Sequence, residues 1–328
     1  MKNVRKWFGF RGDKSWIAAF VVLLAVIPPL LNSYQIHIVD LAVLYTILAI
    51  GLNITIGYCG QMNLAHAAFY AVGAYATSLL TTNYHMGFWV SLPIAIIIST
   101  LFGVLMGLPS LKVRSHYLAI GTLGLAIAVN DTLTNLTNFT GGPNGILGIP
   151  TPNFFGISLA SEYNYYYLVL AFAVLLFLFA RLMLKYSIGR SFRAIREDHI
   201  AAQALGINVA KQQIIAFGLS GLFAGVAGIL YAHMLSYVSP DSFNLNEMFF
   251  LLTIVIIGGM GNIYGSVVGA ILLIFAREWL SQFQNWEQVI YGCLIVALII
   301  FMPEGVVSIK GLFHRCSKLD TNVEQADS

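Results

Sequence analysis

Long apolar runs fill almost the whole chain, broken at intervals by short clusters of Gly, Pro, Asn and charge. The runs fall near 16–35, 41–57, 64–80, 88–108, 117–136, 164–184, 212–235, 247–258, 264–281 and 288–303. Most approach the roughly 20 residues that a helix needs to cross a bilayer. They are continuous rather than alternating, which argues against an outer-membrane barrel. The pattern predicts an all-α polytopic membrane protein with about ten transmembrane helices.

Composition agrees with that pattern. Of 328 residues, 58% are hydrophobic and 9% charged, with a mean hydropathy of +0.80. A soluble domain is about 45–50% apolar and about 25% charged. Between Lys14 and Lys112 the single charged residue is Asp40. The N-terminus, with Lys2, Arg5, Lys6, Arg11 and Lys14 ahead of an apolar run, resembles a signal peptide. It lacks a small-residue cleavage site and contains Pro28-Pro29, so it is read as an uncleaved first span.

Charge placement supplies an orientation. With the N-terminus in the cytoplasm and ten alternating spans, sixteen of the seventeen basic residues fall inside, and Arg277 alone falls outside. Asp40, Glu162, Asp241 and Glu247 then lie outside or at the outer rim. Cytoplasmic loops collect Lys and Arg, so the expected topology has both termini inside. The chain divides into a basic N-terminal stretch (1–15), a transmembrane permease domain (16–303) and a cytoplasmic tail (304–328). An outer loop spans 137–163 and a charged inner loop 185–211.

Two inner turns break the charge rule, since 57–63 (GYCGQMN) and 258–264 (GGMGNIY) hold no basic residue. They also resemble each other: IGYCGQM at 56–62 against IGGMGNI at 257–263. One reading is a pair of interrupted helices that free backbone groups to line a cavity. The other is two tight helical hairpins closed by Gly. On the first reading, Gly57, Gly60, Gln61, Asn63, His66, Gly258 and Gly261 are candidates for a translocation path. Small residues recur at four-residue spacing in Gly103/Gly107, Gly221/Gly225 and Gly261/Gly265/Gly269, a pattern of close helix packing. The outer loop is rich in turn formers but also holds Phe139, Ile146, Phe154 and Phe155. It is expected to be ordered, with Gly141, Gly142, Pro143, Asn144 and Gly145 as a docking site for an external partner.

Catalytic and nucleotide-binding signatures are absent from the sequence. It has no GxxxxGK[ST] phosphate cradle, no HExxH and no nucleophile elbow. Seven histidines lie scattered without an i, i+4 pair, and Cys59, Cys293 and Cys316 form no metal spacing. The spans lack the chains of ionisable residues that mark a proton relay; Asp131 is the main candidate and sits near an outer helix end. These features suggest a pathway driven from elsewhere, with no catalytic residues, metal or cofactor of its own.

The inner loop concentrates charge: Arg193, Arg196, Glu197 and Asp198 fall within six residues, followed by His199. Phe192, Ile195 and Ala202 share one helical face. Ser191 is a candidate start cap, Gly206 suits a left-handed C-terminal cap, and Asn208 can cap the next helix. A short helix with both charge signs and a small Ala-Ala surface reads as a docking element rather than a solvated connector.

The segment REDHIAAQALG (196–206) resembles the motif of ABC importer membrane subunits, in which Glu-Ala-Ala and three further residues precede Gly. Ala201, Ala202 and Gly206 match, whereas Ile200 stands where the motif has Glu. GYCGQMNLAHAAFYAVGAYA (57–76), LPSLKVRSHYLAIGTLG (108–124), TGGPNGI (140–146), SIGRSFRAIREDHIAAQALGIN (187–208) and IIGGMGNIYGSVVGA (256–270) are similar to the branched-chain amino acid ABC transporter permease family, LivM type. The resemblance covers nearly the whole chain. It implies a multi-pass permease of the bacterial inner membrane, paired with a second, homologous permease. Two cytoplasmic ATPases, which bind the ATP and Mg, and a periplasmic amino-acid-binding protein complete the system; no nucleic acid is involved. Glu197, Asp198, Ala201, Ala202 and Gly206 would then form the coupling element against the ATPase. The implied substrates are leucine, isoleucine and valine. A urea or short-amide permease of the same superfamily and an ATP-independent transporter or channel are the alternatives.

Overall fold

Apolar runs become helices wherever no proline or capping residue interrupts them. The computed structural model describes residues 28–282, apart from 112–114, 155–156 and 160, together with Gly292. The main helices are α1 (Ser33–Asn53, continued by a π-turn at Ile54–Tyr58), α2 (His66–Thr82), α3 (Phe88–Gly107), α4 (Ser115–Asn135) and α6 (Glu162–Lys185). A one-turn α5 (Thr137–Thr140) follows α4. The second half holds α7 (Ser187–Glu197), α8 (His199–Ala204), α9 (Val209–Leu235), α10 (Leu245–Gly258) and α11 (Ile263–Ser281). Seven of these segments are long and apolar enough to cross a membrane; α2, with 17 residues, is slightly shorter.

Eight of the ten predicted runs are helical here. The predicted run 288–303 lies outside the described residues, as does most of 16–35. The expected break between the first two runs, near 36–40, is absent. Proline lacks the N–H that would continue a helix, so the break falls earlier, at a 3-10 turn over Pro28–Leu30. The Asn32 N–H donates to the Gln35 side chain (3.1 Å) and α1 starts at Ser33. Asp40, placed at the outer rim by its charge, is buried within α1 at 2% exposure.

Helices α1 and α9 are the most enclosed. Helix α9 packs along α2 and α3, and α1 along α6 and α11. Glycine permits the closest of these contacts. A Cβ on Gly221 would lie 2.5 Å from the Ser99 carbonyl oxygen, and one on Gly73 2.5 Å from the Gly225 Cα. One on Gly228 would lie 2.2 Å from the Tyr70 carbonyl oxygen. The four-residue glycine spacing therefore does mark helix packing.

The exposed helix faces differ in kind. Helix α3 exposes Val90, Ile97, Leu101 and Leu105, and α6 exposes Leu175, Leu178, Phe179 and Leu182, side chains suited to lipid tails. Helix α4 exposes Gly121, Gly124, Ala128, Asp131, Thr132 and Asn135, alongside Tyr117, Ile120 and Ile127.

The outer loop is ordered, as its turn formers suggested. Strand β1 (Ile146–Leu147) pairs antiparallel with β4 (Tyr237–Val238), and β2 (Asn153–Phe154) with β3 (Ile157–Ser158). A Cβ on Gly145 would sit 2.0 Å from the Val238 carbonyl oxygen, so only glycine fits beside β4. His233 anchors the loop from α9, one ring nitrogen 2.8 Å from the Pro150 carbonyl oxygen and the other 3.0 Å from Thr77 Oγ1.

Candidate functional site

The two glycine turns meet in space and are joined through Asn53, at the end of α1. Its Oδ1 accepts from the Gly261 N–H (2.8 Å), and its Nδ2 donates to the Asn262 carbonyl (3.0 Å) and to Ser266 Oγ (2.7 Å). The Tyr58 hydroxyl accepts from the Ile263 N–H at 3.1 Å. A Cβ on Gly57 would fall 2.4 Å from the Gly261 nitrogen, so the turns touch backbone to backbone.

Beyond Gly60 the chain runs irregularly to Ala65, and the polar residues on this stretch turn inward. Gln61, Asn63 and His66 are all buried. The Asn63 amide donates to Ser220 Oγ (3.1 Å). His66 Nδ1 lies 2.7 Å from the same hydroxyl and Nε2 lies 2.9 Å from the Leu48 carbonyl oxygen. A carbonyl only accepts, so Nε2 carries a proton, and Nδ1 of the neutral ring takes the Ser220 hydroxyl proton. Asn63 and His66 thus engage α9 and α1 of their own chain. Gly258 is buried, while Gly57, Gly60 and Gly261 line the junction of the turns.

The charged loop is two short helices meeting at Asp198. Helix α7 begins at Ser187, one turn earlier than the Ser191 cap suggested. The Asp198 side chain caps α8 by accepting from the Ile200 N–H (2.7 Å) and the Ala201 N–H (3.1 Å). Those two amides hold its carboxyl below the usual carboxylate range. Gly206 adopts the left-handed conformation expected of it (φ +81°), and the Asn208 side chain accepts from the Lys211 N–H (3.0 Å). Phe192, Ile195 and Ala202 do form one face, and it is buried within this chain. Glu197, Asp198, Ala201 and Gly206 are exposed, and Ile200 and Leu205 each stand 79% exposed.

On the opposite loop, Gly141, Pro143 and Asn144 are exposed and Gly142 is buried, with left-handed φ at Gly141, Gly142 and Gly145. Among the described residues no group of His, Cys, Asp and Glu is arranged to hold a metal ion.

The family described as branched-chain amino acid transport system / permease component matches residues 35–302. The chain belongs to this family. It is 37% identical to the high-affinity branched-chain amino acid transport system permease protein LivM of Escherichia coli K12, over 90% of this chain and 75% of that protein. It is 26% identical to the probable LivM permease of Methanocaldococcus jannaschii, over 80% of this chain and 90% of that protein. To the LivH permease of Salmonella typhimurium it is also 26% identical, over 82% and 92% of the two chains. No solved structure matches it significantly.

Several residues that build the permease's junction escaped the sequence reading. Asn53 sits inside an apolar run and Ser220 on a glycine-spaced helix. A lone polar residue at membrane depth was the available signal for both. The protruding Ile200 and Leu205 had been passed over for the smaller alanines.

Proposed function

We propose that this chain is a membrane-spanning subunit of an ATP-driven importer of branched-chain amino acids in the bacterial inner membrane. It would pair with a homologous permease, receive substrate from a periplasmic binding protein at the 141–145 turn, and be driven by two separate ATPase subunits that bind ATP and Mg. Ten spans with both termini inside fit the placement of basic residues. The similarity to LivM over nine-tenths of the chain carries the reading.

The geometry supports a specific form of coupling. Ala202 packs within its own chain, so the surface offered to an ATPase is Ile200 and Leu205, flanked by Glu197, Asp198, Ala201 and Gly206. An apolar side chain at 200, where the motif has Glu, makes this contact a buried knob rather than an ion pair. The path residues form a frame: Gly57, Gly60, Gly258 and Gly261 let the turns close together, with Gln61, Asn63 and His66 behind them. The open face of α4 is the surface offered to the zwitterion. Asn130 and Asp131 of α4 and Asn244 and Asn246 border a cleft of about 260 Å³ there.

Uptake of labelled leucine and urea by proteoliposomes holding the complete system tests this reading. ATP-dependent leucine uptake that requires loaded binding protein is expected. Urea uptake without leucine uptake would select the urea alternative, and uptake without ATPases would select the ATP-independent one.

A further inference from the structure

Arg196 is the next-to-last residue of α7, and its guanidinium reaches out of the charged loop to the Gly57 carbonyl oxygen. Gly57 lies at the end of the helical run, where the last carbonyls have no donor within the helix. The second turn is equally close: a Cβ on Gly261 would lie 2.6 Å from Arg196 Nη1. One on Gly60 would lie 3.1–3.3 Å from the Cγ, Cα and Cβ of Arg196. One cationic side chain therefore seats on both glycine turns, which Asn53 already ties into one body.

We infer that Arg196 is a positioning residue that links the cytoplasmic loop to the joined turns. A displacement of α7 and α8 is delivered through it to the inner ends of α1, α10 and α11. The inference rests on the reading of residues 185–211 as the ATPase contact. Arginine suits the task because its charge strengthens the bond to a carbonyl and its planar fork lies flat under a turn. Glycine at 60 and 261 gives that fork room. The glycines of the two turns, read from sequence as a trace of duplication or as helix breaks, acquire here a shared partner 139 residues from one of them.

The test uses the complete transporter in proteoliposomes. Arg196→Ala is expected to retain the ATPases. Stimulation of ATP hydrolysis by leucine-loaded binding protein, and leucine taken up per ATP, should each fall about tenfold, the worth of one charge-assisted hydrogen bond. Arg196→Lys, which keeps the charge, should recover most of both. Gly261→Ala should uncouple in the same way with Arg196 intact, and it carries the test should Arg196→Ala fail to assemble. Unchanged uptake per ATP in Arg196→Ala or Gly261→Ala would overturn the inference, because a merely structural residue alters the yield of complex and not this ratio. Loss of the ATPases from an otherwise folded Arg196→Lys complex would also overturn it, making Arg196 a docking residue. Leu205→Glu is the separate control: should it leave assembly and coupling intact, the reading of the loop itself fails.

Discussion

Residues 56–62 and 257–263 read alike, yet the chain leaves the two turns differently. After Gly261 it re-enters a helix at once, because Asn262 caps α11 by accepting from the Tyr264 N–H (3.0 Å) and the Gly265 N–H (3.4 Å). The equivalent residue in the first turn is Gln61, one methylene longer and a poor N-cap. There the chain stays irregular to Ala65, and Asn63 supplies the local bond, its Oδ1 accepting from the Ala65 N–H at 3.1 Å. Those extra residues carry Asn63 and His66 into the core against Ser220. The lesson is that one methylene on an amide side chain separates a tight hairpin from a segment that crosses the interior.

The comparison can be broken most severely where the turns touch. Gly57→Ala inserts a Cβ 1.7 Å from Asn53 Oδ1 and 2.4 Å from the Gly261 nitrogen. Overpacking of that kind costs about 3 kcal/mol, so the detergent-solubilised permease should unfold several degrees earlier in a thermal scan. An unchanged transition would show that the turns are not pressed together. A middle-sized effect is expected from His66→Ala, which leaves the Leu48 carbonyl and Ser220 without a partner at a cost of about 2 kcal/mol. Ser220→Ala should match it, and the double variant should cost less than the sum. Full additivity in the same scan would mean that the two side chains do not act as one network. The mildest change sharpens the contrast itself. Asn262→Gln should cost about 1 kcal/mol as the α11 cap weakens, whereas Gln61→Asn should leave stability nearly unchanged, since Asn63 already serves that turn. Equal losses from both would erase the distinction.

The helices were legible because hydrophobic length is a local property. The break before α1 was misplaced because Asp40 was taken as the mark of a loop, while the prolines and Asn32 that end one segment and begin the next lay upstream. In the charged loop, Gly206 and Asn208 were legible because caps depend on neighbouring backbone. The burial of Ala202 was not, since a small residue fits a partner's groove and its own core equally well. The same ambiguity applies to His66 and Asn63, because helical spacing cannot separate a face turned to another subunit from one turned to another helix. Arg196 and Gly57 are 139 residues apart, and no periodicity joins them.

The glycine contacts that hold α9 to α2 and α3 have a mechanical consequence. Helices seated backbone to backbone cannot slide past one another by small amounts, because packed interfaces are bistable rather than continuously deformable. During alternating access these three helices therefore travel as a block. The compliance of the cycle resides in the irregular connectors, 59–65 among them, and the surrounding bilayer adjusts to the block's footprint rather than to single rods.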